Sequence, residues 1–120
     1  MARVLALAPE LMLASKLSST LRAAGHEVDV LSAAPDAWPE AELAVCDLTA
    51  IDPSALPASP PLLLGVYPHV DVELRRSAEA AGFDLVVPRS RMARELPELV
   101  ERLLAERAGP SPASSPEPTR

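Results

Sequence analysis

Four groups of side chains in this chain are of types that could do chemistry. Asp47 ends the apolar run LAVCD, where a strand hands over to a loop. A carboxylate in that place can accept a phosphoryl group, or it can cap the turn that follows. Tyr67 and His69 lie in GVYPHVD, after a second apolar run. Arg89, Ser90, Arg91 and Arg94 open a long C-terminal helical pattern, and Arg75 and Arg76 belong to the helical pattern before it. Guanidinium groups beside free backbone N–H groups can hold an anion or an acidic partner. Cys46, the single cysteine, directly precedes Asp47.

Strand-type and helix-type runs alternate along the chain, the mark of a parallel sheet covered by helices. Val4–Leu7 is a short continuous apolar run. From Pro9 the spacing changes: Leu13, Leu17 and Leu21 recur at every fourth position, as on one face of a helix. Pro9 suits a first helical position, Glu10 suits the first turn, and Gly25 suits a left-handed stop. The second strand is His26–Leu31, with Val28 and Val30 inward and Asp29 outward, as on a half-exposed edge. Leu43–Asp47 and Leu62–Val66 read as central strands. Asp71 caps a helix that runs to Ala81 and stops at Gly82. Leu85–Val87 is the fifth strand. The final helix spans Ser90–Ala108, with Met92, Leu96, Leu99, Val100, Leu103 and Leu104 on its buried face. Met12 and Met92 read as core fillers.

Two connections are too rich in proline for full crossover helices. Residues 33–42 and 49–61 each hold two or more prolines, enough to limit each to about one helical turn. The expected fold is therefore α/β: a five-stranded parallel sheet with three full helices and two stunted crossovers. Trp38, in PDAWP, is expected to plug the sheet where a crossover helix is missing.

Length and composition exclude several classes. The chain of 120 residues has room for one domain, assigned to residues 1–108. The last twelve residues, GPSPASSPEPTR, carry four prolines and no large apolar side chain, and are expected to be a disordered tail at 109–120. Seventeen acids against eleven bases give a net charge of −6, which repels phosphate backbones and argues against nucleic acid as a partner. A single cysteine permits neither an internal disulfide nor a cysteine zinc site and fits a cytoplasmic location. Pro9, Glu10 and Lys16 interrupt the apolar N-terminus, so neither a membrane span nor a signal peptide is expected. No cofactor motif is present: the loop after the first strand, APELM, has no glycine to cradle a phosphate.

The stretch VLALAPELMLASKLSSTLRAAGHEVDVLS resembles the first strand, first helix and second strand of a response-regulator receiver domain. LAVCDLTA resembles the third strand of that family, and SAEAAGFDLVVPRS its fourth-helix end and fifth strand. The resemblance covers residues 1–108 and places Asp47 at the phosphoacceptor position. It places Val66 or Tyr67 at the switch position after the fourth strand, and Arg89, seven residues after Gly82, where receivers carry a lysine. Working receivers also carry a pair of acids after the first strand that hold magnesium. Here those positions are Ala8 and Pro9, neither of which offers a side-chain ligand. The switch hydroxyl is replaced by Val66 or Tyr67, and Arg89 keeps the charge of lysine but not its geometry. The resemblance thus implies a degenerate, CheY-like pseudo-receiver with a flavodoxin-like sheet in the strand order 2-1-3-4-5.

Set against their plain structural roles, most of these groups read as structure. Without a metal to neutralise charge, Asp47 reads first as a strand-end acid bound to its loop or paired with Arg89. His69 has no second histidine or cysteine beside it and reads as a loop hydrogen-bonder. Tyr67 could serve as the rotating aromatic of the receiver family. Cys46 reads as a buried thiol, and His26 needs no special role. The arginine group, Arg75, Arg76, Arg89, Ser90, Arg91 and Arg94, is the one concentration of positive charge on an acidic chain and reads as a contact surface.

The expected function is an atypical receiver-like signalling module, without enzymatic activity, that acts through another protein and not through phosphorylation or magnesium. A homodimer through a sheet edge is compatible with it. The alternative is a flavodoxin-like binder of an anion or phosphorylated ligand at Arg89, Arg91 and the last helix start.

Overall fold

The computed structural model describes residues 2–68 and 71–108. His69 and the tail expected at 109–120 lie outside the described residues. In chain order the elements are β1 (Arg3–Leu7), α1 (Leu11–Ala23), β2 (Glu27–Leu31), β3 (Leu43–Asp47), a 3₁₀ turn (Pro53–Ala55), β4 (Leu62–Tyr67), α2 (Val72–Ala80), β5 (Leu85–Pro88) and α3 (Arg89–Ala108). The five strands form one parallel sheet, as the alternation of patterns predicts, in the order β2-β1-β3-β4-β5 that the receiver resemblance implies. All five carboxyl ends therefore share one edge, where α/β folds place their sites.

Alternation along each strand splits the core in two. Val4, Ala6, Val28, Leu43, Val45, Leu64, Val66 and Val87 face the layer of α1 and α3, where Leu13, Leu17, Leu21, Met92, Leu96 and Val100 pack on them. Leu5, Leu7, Ala44, Cys46, Leu63 and Tyr67 face the opposite layer, against Leu48, Ile51, Ala78 and Phe83. That second layer has α2 as its only helix among the described residues. Residues 32–42 contain none, and residues 48–61 hold only the 3₁₀ turn. Trp38 fills part of the gap: its indole N–H donates to Pro57 O at 2.9 Å and its ring packs on this cluster with Leu31, Ala34 and Leu56.

Local chemistry sets the boundaries. The Glu10 carboxylate accepts from the N–H groups of Met12 (2.9 Å) and Leu13 (3.2 Å), so Glu10 caps α1 and does not lie in its first turn, and Pro9 precedes the helix. Asp71 caps α2 through Leu74 N–H at 3.1 Å. Gly25 and Gly82 follow α1 and α2 at φ 96° and 94°, a region that glycine enters without strain. Asp52 caps the 3₁₀ turn, and the Ser54 N–H, then the Ser54 hydroxyl, hold its carboxyl below the usual range.

Three expectations are corrected. Met12 is 80% exposed, because it lies about 100° round α1 from Leu13. Val30, expected inward, is 44% exposed: it belongs to an edge strand with a neighbour on one side only. Glu10 caps where an in-helix position was expected, since its side chain reaches back to the free N–H groups.

Candidate functional site at the carboxyl edge of the sheet

Asp47, the last residue of β3, is 4% exposed. Its Oδ1 accepts from Thr49 N–H at 3.0 Å, and its carbonyl accepts from Ala50 and Ile51 N–H at 3.1 and 2.9 Å. The acid thus closes the turn that leads from the strand. Val66 pairs with Asp47 across β3 and β4. It is buried among aliphatic side chains and has no hydroxyl to offer. Tyr67 points into the other layer and is also buried.

Arg89 does not pair with Asp47. It opens α3 directly from β5, and its guanidinium stands 3.7 Å from Glu10 Oε1. Glu10 therefore links two segments: it caps α1 and holds the start of α3. Among the described residues no ion pair reaches Asp47 within 4 Å.

These positions do not fit a magnesium site. Ala8 and Pro9 offer no side-chain oxygen, and both oxygens of Glu10 are bound to backbone N–H groups of α1. Among the described residues no three carboxylate, histidine or cysteine side chains converge as metal ligands would. No step through a metal is derived for this edge.

The arginines divide between the two layers beside β5. Arg75 and Arg76 lie on α2, and Arg89, Arg91 and Arg94 lie on the first turns of α3. Arg75 meets Glu79 at 3.3 Å, and Arg91 and Arg94 meet Glu95 at 3.2 and 3.9 Å. The hydrogen bond that Arg75 donates to Glu79, then the charge of Glu79, then Tyr67 raise the Arg75 guanidinium above its ordinary value. Arg76 has no ion-pair partner among the described residues. Ser90 stands exposed between Arg89 and Arg91. Between the two groups, Leu85, Val86 and Pro88 of β5 are half-buried.

A 270 Å³ cavity lies between the turn after β3 and α2, lined by Leu48, Ile51, Pro53 and Leu74 among others. It is mostly apolar. Burial, then the charge of Asp47, push the Cys46 thiol up to about 12, which removes it as a nucleophile near neutral pH.

Two partnerships have no signature in sequence spacing. His26 is buried: its Nδ1 accepts from Ala2 N–H at 3.2 Å, and its Nε2 lies 3.4 Å from Glu101 without a hydrogen bond. Arg22 reaches from α1 to Val28 O at 2.9 Å. Both residues look like ordinary surface or strand positions in the sequence.

No protein-family model matches this chain, and no curated protein matches it. The structural neighbours are CheY-like response-regulator receiver domains. The CheY-like receiver of Methanospirillum hungatei superposes with TM-score 0.72 at 17% identity, over 90% of this chain and 97% of its own. CheY4 of Vibrio cholerae gives 0.66 at 17%, over 86% and 98%. NtrX of Brucella abortus gives 0.75 at 18%, over 88% of this chain but 27% of its own, so this chain spans about a quarter of NtrX. The likeness establishes the fold: a receiver-type doubly wound sheet. Among the described residues no helix is long and apolar enough to cross a membrane.

Proposed function

We propose that this chain is a receiver-like signalling module that acts by binding another protein, with neither magnesium nor phosphorylation in its working cycle, and with no enzymatic activity. The observation that carries the reading is the engagement of Glu10. Receivers that use magnesium present free acids after the first strand, and here the nearest carboxylate in that loop, Glu10, caps α1 and pairs with Arg89. Asp47 is the phosphoacceptor equivalent, and its Oδ1 is spent on its own turn.

The contact surface is the face made by α2, β5 and the first turns of α3. β5, with Leu85, Val86 and Pro88 half-buried, runs between α2, which carries Arg75 and Arg76, and α3, whose first turns carry Arg89, Ser90, Arg91 and Arg94. An apolar strip flanked by arginine suits an acidic protein partner. Tyr67, a switch-equivalent position, is buried in the layer that α2 covers. Anion binding at Arg89 and Arg91 ranks second, because both guanidiniums already have glutamate partners.

The direct chemical test is exposure to acetyl phosphate and magnesium, followed by intact mass measurement. The proposal expects an unchanged mass. Gain of one phosphoryl group, lost in Asp47→Asn, contradicts it.

A further inference from the structure

The outer edge of β2 leaves backbone groups unused. Glu27 N–H donates to Ala2 O at 2.9 Å, and Leu31 O accepts from Ala8 N–H at 3.0 Å. The two-residue period of a strand then turns the amides of Glu27, Asp29 and Leu31 toward β1, and those of Val28 and Val30 outward. Residues 32–42, which would carry a covering helix in a full crossover, contain none. Among the described residues one side chain reaches this edge: Arg22 Nη2 donates to Val28 O at 2.9 Å. Outside the strand ladder, no hydrogen bond among the described residues reaches the backbone of Val30. The opposite edge differs, since β5 has only four residues and ends on Pro88, which has no N–H to give.

Side chains along β2 alternate in character as well. Val28 and Val30 project to one face, and Glu27 and Asp29 project, exposed, to the other. An added strand would meet β-branched apolar groups on one side and, on the other, the carboxylates of Asp29 and of Glu27, the latter held by Arg3 at 2.8 Å.

We propose that the β2 edge is a strand-addition site for an extended segment of another protein in which β-branched and basic residues alternate. Backbone bonds to Val28 and Val30 supply the affinity, and bases opposite Glu27 and Asp29 supply the selectivity. Arg22 is the resident occupant of one acceptor, and an incoming strand displaces it. A second copy of this chain fits poorly: antiparallel β2 pairs centred on Val28 or Asp29 set acid against acid. This site is independent of the arginine-bearing face, so its failure leaves the proposed function standing.

The test is amide NMR of the full chain with the peptide Ac-KVKVTVK-NH2 as probe. The expected result is shifted resonances and slowed amide exchange at Val28 and Val30. Arg22→Ala should tighten binding roughly threefold to tenfold, the worth of one exposed hydrogen bond. Asp29→Lys should weaken it by at least as much. Val30→Pro removes an N–H that no native bond uses and should abolish it; if that variant fails to fold, Asp29→Lys decides. Shifts confined to other residues, absence of binding in both wild type and Arg22→Ala, or self-association of Arg22→Ala in place of peptide binding would each overturn the proposal.

Discussion

The guanidinium of Arg89 stands 3.7 Å from the carboxylate of Glu10, and that same carboxylate receives the Met12 and Leu13 N–H groups. One acid thus does two jobs at the carboxyl edge of the sheet, and the jobs differ in worth. The capping bonds satisfy helix N–H groups, which typically contributes about 1 kcal/mol. The ion pair is half exposed and contributes less. Glu10→Ala should therefore lower stability by about 1 kcal/mol, and Arg89→Ala by under about 0.5 kcal/mol. Denaturant midpoints measure both, and an equal loss in the two variants would contradict this ranking.

Trp38 joins the two connections that lack helices, through its indole N–H to Pro57 O. Trp38→Phe keeps most of the ring and deletes the donor, at an expected cost of about 1 kcal/mol. Trp38→Ala also uncovers Leu31 and Leu56, and should cost about 3 kcal/mol. Since the chain has one tryptophan, its fluorescence reports this region alone. A native-state emission already at the fully hydrated wavelength would contradict the packing.

Gly65 has no room for a side chain. A Cβ there would lie 2.8 Å from Leu48 Cδ1 and 3.0 Å from the Phe83 ring. Gly65→Ala should destabilise the fold by about 1–3 kcal/mol through overpacking. Gly82→Ala meets nothing within 4 Å but sits at φ +94°, so its cost is backbone strain of about 1 kcal/mol. Urea titrations of the two separate the causes, because Leu48→Ala, which removes the tightest contact, should relieve only the first.

The sequence made the architecture legible and left the site half hidden. Continuous apolar runs mark β3 and β4, the every-fourth-residue leucines mark α1, and Asp71, Gly25 and Gly82 mark helix ends, because each signal is local. Glu10 was visible only as an acid near a helix start. Whether a long carboxylate side chain folds back to cap or projects outward depends on the path of Ala8 and Pro9, which spacing does not encode. The pairing of Arg89 with Glu10, in place of Asp47, joins segments far apart in the chain. Val30 followed the alternation of its strand, but its exposure depends on β2 standing at the sheet edge with a neighbour on one side only, which local alternation does not encode.

Cys46 gives a pH-dependence with a definite sign. Burial raises its thiol from 9.0 to about 12 in the folded chain, and Asp47 adds to the shift. Below about pH 9 both states hold the proton and stability does not change on this account. Between about 9 and about 12 the unfolded thiol ionises while the folded one does not, so stability falls as pH rises. Cys46→Ala should flatten that alkaline decline, whatever its packing cost at neutral pH. A thiol reagent at pH 8 should react only after unfolding; rapid labelling of native protein would contradict the burial.

The most direct measurement is an amide NMR spectrum of the chain with and without magnesium and beryllofluoride, the phosphoryl mimic. The account predicts that neither addition moves the resonances of Asp47, Tyr67 and Arg89, because the acids a metal requires are absent or engaged. A joint shift of those three, saturating with magnesium, would show a working receiver switch and contradict the account.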